Sequence, residues 1–218
     1  MNNITQPLGA PYPKTQVGPD SKTQDRILLE STILFARHGY ADVSMKDIAK
    51  KCHLKPASLY NHFDGKEALW DAVLAHTEDL YRMYFARLEK ARIGVKSFEE
   101  ALETMFVELL NVVDIFTYYS FSLVQTEQFR DEKAGTLFTQ LFLQESIAYI
   151  KGRFDECIQK GWVASFDTET LATIFMHSVH MGIDIRVQEH LGRPVPYDVT
   201  NMFLALKAFI LRKATSDV

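Results

Sequence analysis

A chain of 218 residues, 47% hydrophobic and 24% charged, is long enough to bury one large core or two small ones. No apolar run reaches the about 18 residues of a membrane span, and no basic start followed by an apolar stretch marks a secretory signal. Cys52 and Cys157 are too few for a disulfide framework and fit a reducing compartment, where both read as small buried hydrophobes. The formal net charge of −4 argues against a generally basic protein, yet residues 21–70 carry a balance of +2 and residues 71–218 one of −6.

Residues 1–20 hold Pro7, Pro11, Pro13, Pro19, Gly9 and Gly18 without apolar periodicity, which predicts a disordered or extended arm. Helix signals then follow one another. The spacing of a capping box, a short polar residue with an acid or amide three positions on, occurs at Ser21/Gln24, Ser44/Asp47, Asp64/Glu67 and Ser97/Glu100. A first helix is expected over about 21–38, burying Ile27, Leu28, Leu34 and Phe35, with Gly39 ending it in a left-handed cap. Two short helices follow, over about 45–51 and 56–63, separated by Cys52, His53 and Leu54. Proline is favourable at the first helical position, where its missing N–H has no intrahelical partner, so Pro56 suits that start. A long helix over about 66–90 carries Leu69, Trp70, Val73, Leu74, Thr77, Leu80, Tyr81, Tyr84, Phe85 and Leu88 at three- and four-residue spacing. Further helices are expected over about 98–113, 116–128, 136–160, 168–191 and 198–213, with Asp167 as an N-cap and Gly161 as a C-cap. The fold class is therefore all-α, with about nine helices. An arm (1–20), a small three-helix domain (21–65) and a larger helical domain (66–218) are expected, with the helix over 66–90 as the link between the two domains.

Two short helices with a three-residue break, preceded by a packing helix, form the helix-turn-helix pattern. The second helix presents its first side chains to base edges in the major groove while the first crosses the backbone. The residues Arg26-Ile27-Leu28, Leu34-Phe35-Ala36, Gly39-Tyr40, Ser44, Ile48-Ala49, Leu54, Leu59-Tyr60-Asn61-His62-Phe63 and Lys66-Glu67-Ala68-Leu69 resemble the DNA-binding domain of the TetR family of bacterial transcriptional regulators. The resemblance covers about residues 22–72. It implies that Lys55, Pro56, Ala57 and Ser58 open the recognition helix, that Lys46 reaches the groove edge, and that Ser44, Tyr60, His62 and Lys66 meet phosphates. It also implies a homodimer acting on a near-palindromic operator in double-stranded DNA, most often as a cytoplasmic repressor released by a small effector. One departure is His53 in the turn, where family members carry Gly at positive φ; an imidazole there costs about 1 kcal/mol.

The last two helices are apolar on more than one face, which requires burial in a bundle or at an interface. The family usually forms a four-helix bundle there with a second subunit, which places Ile174, Ser178, Gly182, Phe203 and Ile210 at a dimer interface. The middle of the chain is rich in aromatics and methionine. Tyr84, Phe106, Tyr118, Tyr119, Gln125, Met176, His177 and His180 are candidates for lining a largely apolar ligand cavity. His177, His180 and Asp184 share a helix face, although a core or interface cluster explains them better than a metal. No cofactor is expected. Enzyme motifs are missing from the sequence: no G-x-S-x-G elbow, phosphate loop, H-E-x-x-H or Cys-x-x-Cys, and no Glu three residues before a His.

Overall fold

The computed structural model describes residues 19–111 and 115–215, and every element among them is helical. In chain order they are α1 (Pro19–His38), α2 (Met45–Lys51), α3 (Pro56–Tyr60), α4 (Lys66–Ala91), α5 (Phe98–Asn111), α6 (Ile115–Glu127), α7 (Glu132–Leu137), a π segment (Phe138–Glu145), α8 (Ser146–Gln159), α9 (Thr168–His190) and α10 (Val199–Thr215). Counting α7, the π segment and α8 as one uninterrupted helical stretch gives nine helices among the described residues, as expected. Most of the proline-rich arm lies outside the described residues. Its end is already helical: α1 begins at Pro19, so Ser21 sits inside the helix and does not cap it.

The chain packs as two compact units. One contains the described residues up to Leu80 together with 115–138, and the other contains 81–111 with the described residues from Thr139 onward. The helix-turn-helix segment is therefore not packed alone, because α6 lies along α1 and α7 along α6. Among the described residues the chain passes from one unit to the other within α4, between α5 and α6, and at Phe138–Thr139.

In the first unit, the face of α1 that packs inward is set by Ile27, Ser31, Thr32 and Phe35; Leu28 and Leu34 are only half-buried. Ser31 and Thr32 are admitted because their hydroxyls donate to the carbonyls of Ile27 (2.6 Å) and Leu28 (2.8 Å), leaving no unsatisfied polar group. Gly39 closes α1 at φ 87°, its N–H on the carbonyl of Phe35 at 2.8 Å. Phe35, Tyr40 and Trp70 then form an aromatic cluster with ring centroids 4.7–5.6 Å apart, tying the end of α1 to the first turns of α4. A buried carboxylate adds a polar tie: Glu127 of α6 accepts from the Tyr40 N–H at 3.3 Å and pairs with Arg130.

In the second unit, Phe106 of α5 and Phe203 of α10 stack at 3.6 Å between centroids and 13° between planes, and both are buried. The π segment replaces the single regular helix expected over 136–160. At this segment the hydroxyls of Tyr81 and Ser146 both donate to the Leu141 carbonyl. The same rod also starts earlier than expected, because Asp131 caps it by accepting from Ala134 N–H at 2.8 Å. Gly135 within it is a close-approach glycine: a Cβ there would lie 2.8 Å from the Gln128 carbonyl oxygen. Downstream, Asp167 caps α9 through the Thr170 N–H, and Gly161 ends α8 at φ 69° with bonds from Gly161 and Trp162 to the carbonyls of Ile158 and Cys157. No described helix is long and apolar enough to cross a membrane.

Candidate nucleic-acid interface

The helix-turn-helix is built around a small apolar base. Val43, Met45, Ile48, Ala49, Cys52, Leu59 and Phe63 are buried, and the remaining side chains of α2 and α3 are free to face outward. Ser44 starts α2 with a complete capping box. Its hydroxyl accepts from Asp47 N–H at 3.2 Å and donates to the Asp47 carboxylate, which also accepts from the Ser44 N–H at 2.9 Å. These bonds to the charged form hold the Asp47 carboxyl below its usual range. They also commit the Ser44 hydroxyl proton, so a phosphate would have to compete with Asp47 for it.

The turn after α2 follows a Schellman pattern. His53 N–H bonds to Lys50 O (3.1 Å), Leu54 N–H to Ala49 O (2.8 Å), and His53 itself sits at φ 55°. The expected departure from glycine is thus present with its backbone conformation intact. His53→Gly should raise the unfolding free energy by about 1 kcal/mol, by relieving the left-handed conformation of a side-chain-bearing residue. Urea denaturation measures it; an unchanged or lower midpoint would show that the imidazole makes up for its own strain.

From this turn α3 emerges with Lys55 at its N-cap and Pro56 in its first turn. It is shorter than expected: His62 and Phe63 both send their N–H to the Leu59 carbonyl, so the chain leaves the helix after Tyr60. Lys46, Lys55, Pro56, Ala57 and Tyr60 are exposed, Tyr60 to 51%, while Ser58, His62 and Lys66 are half-buried. Lys50 and Asn61, not among the expected contacts, are exposed beside them. Lys66 is held in place: its ammonium donates to the Ala41 carbonyl at 3.0 Å and lies 4.4 Å from the centre of the Tyr40 ring. Two of its three N–H donors have no protein partner among the described residues. Tyr40 thus orients Lys66, a role the sequence signalled only through the Gly39-Tyr40 pair. The expected start of α4 at Asp64 shifts by one, since Leu69 N–H bonds to Gly65 O. At α5 the capping expectation is nearly met: Ser97 Oγ accepts from Glu100 N–H, while Glu100 accepts from the Lys96 N–H rather than that of Ser97.

The other expected site residues are dispersed. Tyr118, Tyr119 and Gln125 belong to α6 in the first unit; Tyr84, Phe106, Met176, His177 and His180 belong to the second. Tyr84 spends its phenol on the Leu109 carbonyl, and Phe106 is spent on Phe203. His177 is exposed with Nδ1 2.8 Å from the Thr173 carbonyl oxygen. His180 is buried, and no group of three metal-ligating side chains converges among the described residues.

Burial holds the His180 imidazole neutral, with its pKa lowered to about 4, helped by the neighbouring His177. The unfolded chain takes up this proton near pH 6.5 and the folded chain only near 4. Stability therefore falls between those values as the pH drops, by up to about 3 kcal/mol at the lower end. His180→Leu should flatten the fall of the unfolding free energy between pH 6.5 and 4.5; an equally steep fall in the variant would assign it to other groups.

Of the residues expected at a dimer interface, Phe203 and Ile210 are buried within the chain itself, and Gly182 is also covered. The faces that α9 and α10 leave open carry Ile174 and Met181 on one helix and Leu204 and Phe209 on the other, between 37% and 53% exposed, with Ser178 half-buried among them.

A short helix anchored by Leu59, exposing Tyr60 between its flanking Lys55 and Asn61 after a tight turn, defines a helix-turn-helix DNA-binding protein. Residues 27–73 match the family model described as bacterial regulatory proteins, tetR family. The biofilm operon icaADBC negative transcriptional regulator IcaR of Staphylococcus aureus is 27% identical over 161 residues, covering 72% of this chain and 82% of that protein. The fold is that of Salmonella enterica GusR (TM-score 0.65, 20% identity, 92% of this chain and 99% of that one). It is equally that of a transcriptional regulator from Saccharomonospora viridis solved with choline (TM-score 0.68, 22% identity, 87% and 96%). Residues 27–73 thus match the tetR family's DNA-binding segment, and the chain as a whole has the fold of these solved regulators.

Proposed function

We propose that the protein is a cytoplasmic homodimeric repressor that binds a near-palindromic operator through α2 and α3 and is released by a small, largely apolar effector. The observation that carries this reading is the pairing of an exposed recognition helix with exposed apolar faces on α9 and α10. One five-residue helix touches too few bases for specific affinity, whereas two related by a twofold axis read half-sites about one turn, or a multiple of it, apart. The naming of IcaR as a negative regulator favours repression, and the choline complex of the S. viridis protein favours a small-molecule signal. A ligand shifts the DNA-competent state only by its difference in affinity for the two states, typically about 1–3 kcal/mol, and operator DNA must weaken that ligand equally.

On operator DNA, Tyr60→Phe and Lys66→Ala should each cost about 1 kcal/mol or more, similarly across operator variants, and Lys66→Ala should lower the salt slope by about one. Lys55→Ala should instead change the preference among sequences. Fluorescence anisotropy at several salt concentrations reads all three. Uniform effects of Lys55→Ala on every sequence would remove its base-reading role, and wild-type affinity in all three variants would remove the interface.

A further inference from the structure

We propose that Glu127, the last residue of α6, is a positioning residue for DNA binding: its buried carboxylate fixes the Tyr40–Ala41 platform on which Lys66 rests. The inference rests on the reading of Lys66 as a phosphate contact. It adds a residue 87 positions from Tyr40 in the chain, which need touch no DNA atom itself. Every group involved belongs to one compact unit.

A carboxylate only 3% exposed is costly unless its partners offset the loss of water. Those partners lie at the turn after α1. Glu127 Oε1 accepts from the Tyr40 N–H at 3.3 Å and lies 3.7 Å from Nη1 of the exposed Arg130. The same oxygen is 3.6 Å from where a Cβ on Gly39 would stand, so the carboxylate lies against the left-handed turn itself. Gly39 closes α1 with its own N–H on Phe35, and the next donor along the chain is the one that Glu127 accepts. Glu127 is firmly placed for this. Its backbone carbonyl accepts from the N–H groups of Arg130 (2.9 Å) and Asp131 (3.0 Å), closing the corner between α6 and α7.

Lys66 is one step further. Its ammonium takes the Ala41 carbonyl at 3.0 Å and the face of the Tyr40 ring at 4.4 Å, so residues 40 and 41 supply both of its supports. A carbonyl and a ring face orient an ammonium without neutralising it, which leaves its charge for a phosphate. The acids on the same end of α4 are engaged elsewhere: Lys133 of α7 pairs with Glu67 at 3.4 Å and with Asp71 at 2.6 Å. Glu127 acts through its reach and not its charge. A negative group beside DNA weakens the attraction to phosphates, so the bond it accepts is what accounts for it there.

The test is fluorescence anisotropy of the full chain, at several salt concentrations, on a duplex enriched from random sequence by the wild-type protein. Glu127→Ala should lose about fivefold in affinity or more and lower the salt slope toward that of Lys66→Ala, about one below the wild type. Glu127→Gln keeps an acceptor of the same reach and should recover most of both. Glu127→Asp keeps the charge but is a methylene too short for the Tyr40 N–H, and should resemble the alanine variant. Combined with Lys66→Ala, the loss from Glu127→Ala should not multiply, because both remove the same phosphate contact. Mere destabilisation would lower the active fraction and leave the slope unchanged. If circular dichroism shows Glu127→Ala to be misfolded, the Asp and Gln variants decide. The role of Glu127 is overturned by a wild-type slope in Glu127→Asp, by Glu127→Gln behaving as Glu127→Asp does, or by losses that multiply. A wild-type slope in Lys66→Ala overturns the phosphate reading of Lys66 and this proposal together. A lowered slope there, beside a wild-type slope in Glu127→Asp, overturns the role of Glu127 alone.

Discussion

Met181→Glu combined with Leu204→Glu should give a folded subunit that sediments as a monomer and loses at least about a thousandfold in operator affinity, falling toward the non-specific level. Both side chains are half open to solvent, at 53% and 51%, so glutamate there removes no core contact. On the proposed dimer face, like charges would meet across the twofold axis, and neither can be desolvated cheaply. Phe203→Glu should behave differently. Phe203 is stacked on Phe106 inside the subunit, and a carboxylate there should unfold the protein rather than divide the dimer. Sedimentation at micromolar concentration and thermal denaturation distinguish the two outcomes. A double variant that remains dimeric would move the interface elsewhere.

Leu59→Ala should lower the unfolding free energy by about 2–5 kcal/mol and weaken DNA binding further than that loss alone explains. The reason is the brevity of α3. Five residues make too few intrahelical bonds to stand alone, and Leu59 is the one buried side chain on the helix. Its removal leaves a cavity under α3, which packs on α2, and frees the orientation of Lys55, Ala57 and Tyr60. Urea unfolding and anisotropy on the same samples give both numbers. A cost below about 1 kcal/mol would show that the turn bonds of His53 and Leu54 hold α3 without its anchor.

Much of this was legible in the sequence because it depended on local chemistry. The Ser44/Asp47 box, the glycine caps at Gly39 and Gly161, and the left-handed residue at His53 are each decided within about five residues. The features that escaped reading depend on distant partners. Gly135 looks like a helix breaker until the Gln128 carbonyl oxygen is found 2.8 Å from where its Cβ would be. The Tyr81 phenol, far back in the chain, reaches the Leu141 carbonyl of the π segment, a contact that no local pattern announces. Helices apolar on several faces hide their inner side from periodicity, so the pattern does not separate the buried Phe203 and Ile210 from the exposed Leu204 and Phe209. Glu127 gave no sequence signal, because a charged residue in a helix reads as solvent-facing until its burial is seen.

The central claim, that two helix-turn-helix units of this chain act together on DNA, is tested most directly by selecting binding sites from random duplexes with the full-length protein and measuring the stoichiometry on the enriched sequence. The account predicts a near-palindrome with half-sites about one helical turn, or a multiple of it, apart, bound by two subunits and lost when either half is scrambled. Enrichment of no sequence, or of a single half-site bound by one subunit with undiminished affinity, would contradict it.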